Sequence, residues 1–371
     1  MWTADVRAAA SKFGFVITGA PYGSTSTVQS WINEVRKANP SIILARYSNA
    51  VEADLTPETT RSTYSIDLAV AANDWWLKTA SGSKVQWTTN YGTYVVNLTR
   101  WGAKDSAGRR FPEWLGDYVA NSVNALTGLN YVYQDNVWYT PRPYKDYSDF
   151  MRNGTNQYAM APEIQAAWRL GTTDYVSRLR AKAPGIKVIA NADNNLNYPE
   201  YIGKYDGSFY ECAFGKSWSF YDRLGWDKMM SEYRIQISNT ISKKDTVFQG
   251  CGPNGLDLNM LRFGLASALL ENGWYAYHIS GAALPFWADE YDAVLGAPTE
   301  APPTAPTSSG IWMRKYANGI VLVNPGTTTE SVSIGSGYRR LKGTQDPVTN
   351  DGLPVSQVTL APKRGLIVVK Q

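Results

Sequence analysis

Residues 129–139 read Leu-Asn-Tyr-Val-Tyr-Gln-Asp-Asn-Val-Trp-Tyr, and this stretch decides the fold. It follows the turn residue Gly128, is rich in residues that favour strands, and its apolar run stops abruptly at Asp135 and Asn136. We interpret it as a buried strand that presents a carboxylate at its C-terminal end. In barrels of alternating strands and helices, catalytic groups lie at that end of the strands.

The same pattern of apolar strand, polar loop and amphipathic helix recurs on both sides of this stretch. Strands are predicted at residues 13–18, 42–46, 94–98, 129–135, 186–193, 206–214, 246–254 and 274–280. Helices are predicted between them, beginning after the N-capping hydroxyls of residues 24–27. Eight such units predict an α/β fold of the (β/α)8 TIM-barrel class.

The composition changes beyond Gly296. Residues 298–309 form a Pro-rich connector, and residues 310–371 carry only strand and turn signals. We therefore predict a catalytic barrel over residues 1–297, followed by a small C-terminal antiparallel β-domain of β-sandwich-like type over residues 310–371.

Composition excludes several classes of partner. The 371 residues carry a net charge of +4 with both signs interspersed, so no basic stripe for nucleic acid is present, and no apolar run is long enough for a membrane span. We expect a monomer without nucleic-acid or membrane partners. The N-terminal residues lack a basic region followed by an apolar stretch, so the location stays open, with an extracellular protein as one expectation.

Cysteine and histidine are scarce. Cys212 and Cys251 lie in predicted neighbouring strands, so a disulfide is conceivable, although two isolated cysteines are more often small buried residues. His278 is the single histidine and no Cys-x-x-Cys motif occurs, so we expect neither a metal site nor a cofactor.

Two carboxylates are the candidate catalytic residues. Asp135 ends the fourth predicted strand, and Glu211 stands at the corresponding place in the sixth. Hydrolysis of a glycosidic bond needs one carboxylic acid to protonate the leaving oxygen and a second carboxylate to attack the anomeric carbon or activate water. The alternative to a catalytic role is a structural one, in which each carboxylate caps a helix or pairs with an arginine.

The neighbours of the two carboxylates suggest their roles. Polar residues flank Asp135, which favours an ionised nucleophile, whereas desolvation beside aromatic and sulfur-containing neighbours would raise the pKa of the Glu211 carboxyl, as a general acid/base requires. Retention is expected if the carboxyls lie about 5 to 5.5 Å apart, and inversion if they lie about 6.5 to 9.5 Å apart.

Aromatic and polar residues near strand ends are the candidate sugar contacts, because the 14 Trp and 24 Tyr offer flat faces with polar edges. The candidate substrate-binding residues are Tyr22, Arg46, Tyr47, Asn136, Trp138, Asn191, Asp193, Trp218, Asn254, Trp287 and Asp289. Asp193 is equally suited to a turn. Asp289 could close the barrel mouth or anchor the β-domain.

Three segments carry a family resemblance. They are Gln134-Asp135-Asn136; residues 286–298, Phe-Trp-Ala-Asp-Glu-Tyr-Asp-Ala-Val-Leu-Gly-Ala-Pro; and residues 311–325, Ile-Trp-Met-Arg-Lys-Tyr-Ala-Asn-Gly-Ile-Val-Leu-Val-Asn-Pro, with Asp-Pro-Val-Thr-Asn-Asp-Gly at 346–352. They resemble the bacterial TIM-barrel glycosidases grouped as hypothetical glycosyl hydrolase family fifteen. The resemblance implies a carbohydrate-active barrel followed by a β-domain, with Asp135 at the family's acidic position on strand four. Glu211 is matched by place alone.

The leading hypothesis is a glycoside hydrolase that cleaves a polysaccharide or oligosaccharide by double displacement through Asp135 and Glu211. The alternatives are a non-catalytic carbohydrate-binding or virion surface protein on a barrel scaffold, and a transglycosylase, which would use the same chemistry with a sugar as acceptor.

Overall fold

The structure, a computed structural model, describes residues 3–19, 24–59, 63–142, 146–252, 255–282 and 284–371. It forms two compact units, one of residues 1–208 with 239–241 and the other of residues 209–238 with 242–371.

The strands, in chain order, are β1 (Phe15–Thr18), β2 (Ile43–Asn49), β3 (Glu52–Asp54), β4 (Thr93–Val95), β5 (Tyr131–Asp135), β6 (Tyr147–Ser148), β7 (Gln157–Tyr158), β8 (Lys187–Ala190), β9 (Gly207–Phe214), β10 (Val247–Gly252), β11 (Trp274–Ile279), β12 (Trp312–Tyr316), β13 (Gly319–Asn324), β14 (Glu330–Arg340), β15 (Pro354–Leu360) and β16 (Arg364–Lys370). The helices are α1 (Ala4–Ala10), α2 (Thr25–Ala38), α3 (Tyr64–Ala72), α4 (Phe111–Asn124), α5 (Pro162–Lys182), α6 (Phe220–Leu224), α7 (Trp226–Asn239) and α8 (Leu258–Leu269). Two short 3-10 helices cover Asn195–Asn197 and Asp289–Asp292.

The parallel sheet confirms the predicted barrel class. Its strand order within the described ranges is β1-β2-β5-β8-β9-β10-β11, and its neighbouring strands run parallel. Strand β5 lies between β2 and β8, so the stretch that ends at Asp135 is central to the first unit. A small antiparallel sheet follows it in the chain, as predicted.

The third predicted barrel strand, at residues 94–98, pairs differently from the expectation. Residues 93–95 form β4, which pairs antiparallel with β3, and β2 pairs directly with β5. The reason lies in the backbone partners, because Val96 N donates to Val51 O at 2.7 Å and Asn97 N donates to Trp75 O at 2.8 Å. These bonds hold residues 93–97 in a local antiparallel arrangement.

Helices α4 and α5 cover one face of the sheet in the first unit. Their buried residues, including Val119 on α4 and Trp168 on α5, form one hydrophobic cluster with Val132 of β5 and Val188 of β8. Strands that pack against helices in this way read as continuous apolar runs, which is why the sequence pattern identified β5 and β8.

The C-terminal sheet has the strand order β12-β13-β16-β14-β15 and is antiparallel. In the second unit, Val321 and Ile367 of this sheet share a hydrophobic cluster with Phe263 and Ala266 of α8. Gly365 permits the close approach, since a Cβ there would lie 2.5 Å from the Arg262 carbonyl oxygen. The domain division predicted at residues 298–309 stays a prediction.

A disulfide joins Cys212 on β9 to Cys251 on β10, with the two Cα atoms 5.0 Å apart. The sequence favoured two free buried thiols and left a bridge open. The structure pairs them because β9 and β10 are hydrogen-bonded neighbours and both side chains are buried, which brings the two sulfurs together.

Candidate active site

Asp135 is the last residue of β5, and four donors bind its carboxylate. Tyr47 Oη donates to Oδ2 at 2.7 Å, and Oδ1 accepts hydrogen bonds from Asn191 Nδ2 at 2.8 Å, the Asn136 backbone N at 3.0 Å and Tyr133 Oη at 3.2 Å. Hydrogen bonds to a charged acceptor are short and strong, so this shell fixes the carboxylate in one orientation and stabilises its charge.

Tyr47 reaches Asp135 because of the register between β2 and β5. Tyr47 pairs with Tyr133 and Asn49 pairs with Asp135, which places all four side chains on one face of the sheet. Burial and the neighbouring Asp135 carboxylate raise the pKa of Tyr47 far above its ordinary value. Tyr47 therefore keeps its proton and acts as a donor throughout the neutral range.

The backbone after Asp135 turns sharply at Asn136, whose φ is +56°. Asparagine tolerates this left-handed region better than most residues. Two hydrogen bonds fasten the turn to the end of β8, from Asn191 N to Gln134 O and from Val137 N to Asn191 O, both at 2.8 Å. Asn191 thus serves the site through both its side chain and its backbone.

Glu52 on β3 is a second carboxylate beside Asp135 that the sequence analysis missed. Its Oε2 accepts hydrogen bonds from Thr93 Oγ1 at 2.6 Å and Trp87 Nε1 at 2.7 Å, and its Oε1 accepts from Asn49 Nδ2 at 3.0 Å and Asn136 Nδ2 at 3.5 Å. Glu52 thereby connects Asn136, which follows Asp135, to the indole of Trp87. The sequence feature that could have identified Glu52 is its position three residues beyond the end of β2, where a barrel places catalytic groups.

An aromatic cluster lies beside these carboxylates. The ring centroids of Trp87 and Trp138 are 5.3 Å apart, and Tyr91, which is exposed, lies 5.7 Å from Trp87. The Arg142 guanidinium lies 4.9 Å from the Trp138 ring centroid and pairs with Asp193 at 3.0 Å. Trp138 is buried, so Trp87 and Tyr91 offer the accessible ring surface of the cluster.

Arg46 does not join this cluster. Adjacent residues of a strand point to opposite faces, so Arg46 lies on the helix-facing side when Tyr47 faces Asp135. It is buried, and its guanidinium interacts electrostatically with Tyr175 of α5 and Tyr118 of α4. Burial lowers the pKa of Arg46. Its role as a sugar contact stays a prediction.

Glu211 lies in the second unit, on β9, and is partly exposed. The register of β9 against β10 shifts between Phe248 and Gly250, which forms a bulge around Glu211. Bulges re-aim side chains and are over-represented next to active sites. Trp218 follows in the loop after β9 and is 51% exposed, which leaves its ring open to a ligand.

Trp287 and Asp289 contact the C-terminal part of the second unit. Asp289 Oδ2 accepts hydrogen bonds from the backbone N atoms of Thr344 at 2.7 Å and Gln345 at 2.8 Å, and Gln345 Nε2 donates to Trp287 O at 2.9 Å. Of the two roles that the sequence left open for Asp289, these bonds fit the anchor. Tyr22 and Asn254, the remaining predicted sugar contacts, lie outside the described residues.

Among the described side chains, no group of three or more His, Cys, Asp or Glu residues is arranged to hold a metal ion. None of the helices in the described ranges is both long and apolar enough to cross a bilayer.

Comparison with solved structures identifies proteins of similar fold. A crystal structure of an Anoxybacillus alpha-amylase matches with a TM-score of 0.51 at 8% identity, covering 94% of this chain and 80% of that one. The GH36 alpha-galactosidase AgaA from Geobacillus stearothermophilus matches at 0.49 and 11% identity, covering 99% and 52%. The glycoside hydrolase domain of PelA from Pseudomonas aeruginosa matches at 0.45 and 14% identity, covering 74% and 90%. At such identities, likeness concerns the fold alone.

No curated protein sequence matches the chain. The family described as Hypothetical glycosyl hydrolase family 15 matches residues 36–320, which is more than half of the chain. Of the segments that suggested this resemblance, Gln134 to Asn136 and residues 286–298 lie inside the matched range, residues 311–325 extend beyond it, and residues 346–352 lie outside it. The chain therefore belongs to Hypothetical glycosyl hydrolase family 15 and is a glycoside hydrolase.

Proposed function

We propose that the protein hydrolyses a polysaccharide or oligosaccharide with retention of anomeric configuration, with Asp135 as nucleophile and Glu211 as general acid/base. The observation that carries this proposal is the shell of four donors around Asp135. A carboxylate held in this way is suited to attack as an anion and poorly suited to donate a proton.

In the first step, an Asp135 oxygen bonds to the anomeric carbon while the bond to the leaving oxygen breaks, and the Glu211 proton passes to that oxygen. In the second step, Glu211 takes a proton from water, whose oxygen attacks the anomeric carbon and releases Asp135. The proton taken from water restores Glu211, so the cycle closes without a cofactor.

Support for Glu211 comes from its own surroundings. It stands in a bulge on a strand of the parallel sheet, is partly exposed, and is followed by an open tryptophan ring at Trp218. Trp87 and Tyr91 in the first unit, and Trp218 in the second, are the ring surfaces that we assign to sugar binding. Asn136, Asn191 and Tyr47 are assigned to holding the Asp135 carboxylate in place.

The test is incubation with soluble starch, pullulan, galactomannan, xylan, chitosan and alginate, followed by measurement of new reducing ends. Parent protein should release product from at least one of these polymers, and Asp135→Asn and Glu211→Gln should each lose at least about a thousandfold in kcat. Tyr158→Phe, which alters an exposed ring in β7, is the matched control and should retain parental activity. Parental activity in either carboxylate variant would refute that residue's role.

Stereochemistry is tested on the same reaction. Proton NMR of the product at early times should show the same anomeric configuration as the substrate. Mutarotation then converts that product to the equilibrium mixture of anomers. Initial release of the opposite anomer would replace double displacement with single displacement and make Asp135 the base for water.

A further inference from the structure

The strand that carries Glu211 is irregular at that residue. Because the register against β10 shifts between Phe248 and Gly250, residues 211–213 face Gln249 alone. A strand with extra residues bends, and the side chains of the extra residues point in directions that a regular strand would not allow. The direction of the Glu211 side chain therefore depends on what holds this bulge.

Cys212, the next residue, has a φ of +39°. This region is costly for a residue other than glycine, and such a conformation persists only where the surroundings fix it. Two contacts do so. The side chain is bonded to Cys251 of β10, and the backbone N–H donates to Gln249 Oε1 at 3.3 Å.

The packing around the bulge leaves little room for another arrangement. A Cβ at Gly215 would lie 1.6 Å from the Cys251 carbonyl oxygen, and a Cβ at Gly250 would lie 2.1 Å from the Phe214 ring. Both cysteines are buried. The bridge is thus shielded from solvent reductants and acts as a permanent part of the strand pair.

We propose that the Cys212–Cys251 disulfide and Gln249 are positioning residues, which hold the β9 bulge in the one conformation that aims Glu211 at the glycosidic oxygen. This inference rests on the proposed function, because it assigns the bridge a role through Glu211. The bridge and Gln249 contact the bulge, so we expect them to act on proton transfer through Glu211.

The test compares Cys212→Ser/Cys251→Ser and Gln249→Leu with the parent on the panel polymer that the parent hydrolyses fastest. We expect kcat to fall by about 10- to 100-fold in each, KM to stay within about threefold, and the basic limb of the kcat pH profile to shift, because proton donation is displaced. Val358→Ala, which creates a cavity in the C-terminal sheet, is the control for lost stability and should leave the pH profile unchanged.

Two outcomes overturn the inference. Lower thermal stability with parental kcat and pH profile would make the bridge a structural brace alone, and a rise in KM at constant kcat would make it part of sugar binding. If the double cysteine variant does not fold, Gln249→Leu, which keeps the bridge, decides the matter.

Failure of the proposed function has a different signature. Parental activity in Glu211→Gln would remove Glu211 from catalysis and this inference with it. An inactive Glu211→Gln beside parental kinetics in both bulge variants would overturn the inference alone.

Discussion

At Asp135, the shortest hydrogen bond to the carboxylate comes from Tyr47, at 2.7 Å. We predict that Tyr47→Phe lowers kcat by about 10- to 100-fold with little change in KM, because a hydrogen bond to a charged group is worth about 1.5–3 kcal/mol. Steady-state kinetics on the panel polymer check this, with Tyr158→Phe as the control. Parental kcat in Tyr47→Phe would mean that the other three donors suffice.

Glu52 supports a second prediction. Its two oxygens accept from four donors, and an amide at this position would face some of those donors with its own N–H groups. We expect Glu52→Gln to lower kcat/KM by about tenfold, through displacement of Asn136 and Trp87. The control is Glu34→Gln, which removes an exposed carboxylate and should change kcat/KM by less than about twofold. Equal effects of the two substitutions would contradict this role for Glu52.

The sequence predicted part of this site and missed the rest for definable reasons. Asp135, Asn136 and Asn191 follow apolar runs, and the ends of neighbouring parallel strands adjoin, so their proximity was predictable. Glu52 was missed because the second strand was expected to end at residue 46, whereas β2 continues to Asn49. Because side chains alternate along a strand, adjacent residues such as Arg46 and Tyr47 face opposite sides of the sheet, so the sequence alone shows that both cannot line the same site.

Helix α8 is tied to two later segments by a buried charge. Arg262 Nη1 donates to Glu290 Oε1 at 3.0 Å, its Nη2 donates to Asp346 Oδ2 at 2.6 Å, and the Arg262 and Glu290 side chains are almost fully buried. We predict that Arg262→Met lowers the free energy of unfolding by about 3–5 kcal/mol, because the buried Glu290 carboxylate loses its cationic partner and keeps the weaker hydrogen bond from Asn350 Nδ2.

Urea unfolding measures this loss, and Arg262→Met/Glu290→Gln is the matched variant. Removal of both charges should recover part of the stability, since the almost fully buried Glu290 charge is then absent, and Asp346, which also loses Arg262, is partly exposed to solvent. A single variant that loses less than about 1 kcal/mol would show that this charge does not hold the segments to α8.

Strands and helices differ in how far the sequence determined them. The predicted strands at 206–214 and 274–280 became β9 (Gly207–Phe214) and β11 (Trp274–Ile279), because long apolar runs leave few alternatives. Between the second and third predicted strands, where a helix was predicted, the described residues form α3 (Tyr64–Ala72), which ends just before Asp74, whose φ is +51°. The antiparallel pairing of β4 depends on partners distant in sequence, which periodicity does not encode.

Buried tyrosines make the whole protein sensitive to alkali. Burial raises the pKa of Tyr175 to about 12, and it raises the pKa of Tyr205 and Tyr233 still further. Unfolded tyrosines ionise near pH 10, so above that pH the native state binds more protons than the unfolded state and stability falls as pH rises. Below about pH 10 this contribution is fully present.

We therefore predict two phases of tyrosinate absorbance in an alkaline titration. Exposed rings ionise first and reversibly, and the buried rings ionise only with the loss of circular dichroism that marks unfolding. Ionisation of all tyrosines near pH 10 with the fold intact would contradict the burial of these rings.

The central claim is that Asp135 attacks the anomeric carbon, and chemical rescue of Asp135→Ala tests it most directly. The variant should be inactive on the polymer that the parent hydrolyses, and added azide should restore cleavage by taking the place of the missing carboxylate. Because azide then attacks from the side that Asp135 occupied, the product should be a glycosyl azide with the anomeric configuration opposite to that of the substrate. Hydrolysis by Asp135→Ala at the parental rate without azide, or a glycosyl azide of unchanged configuration, would contradict the account.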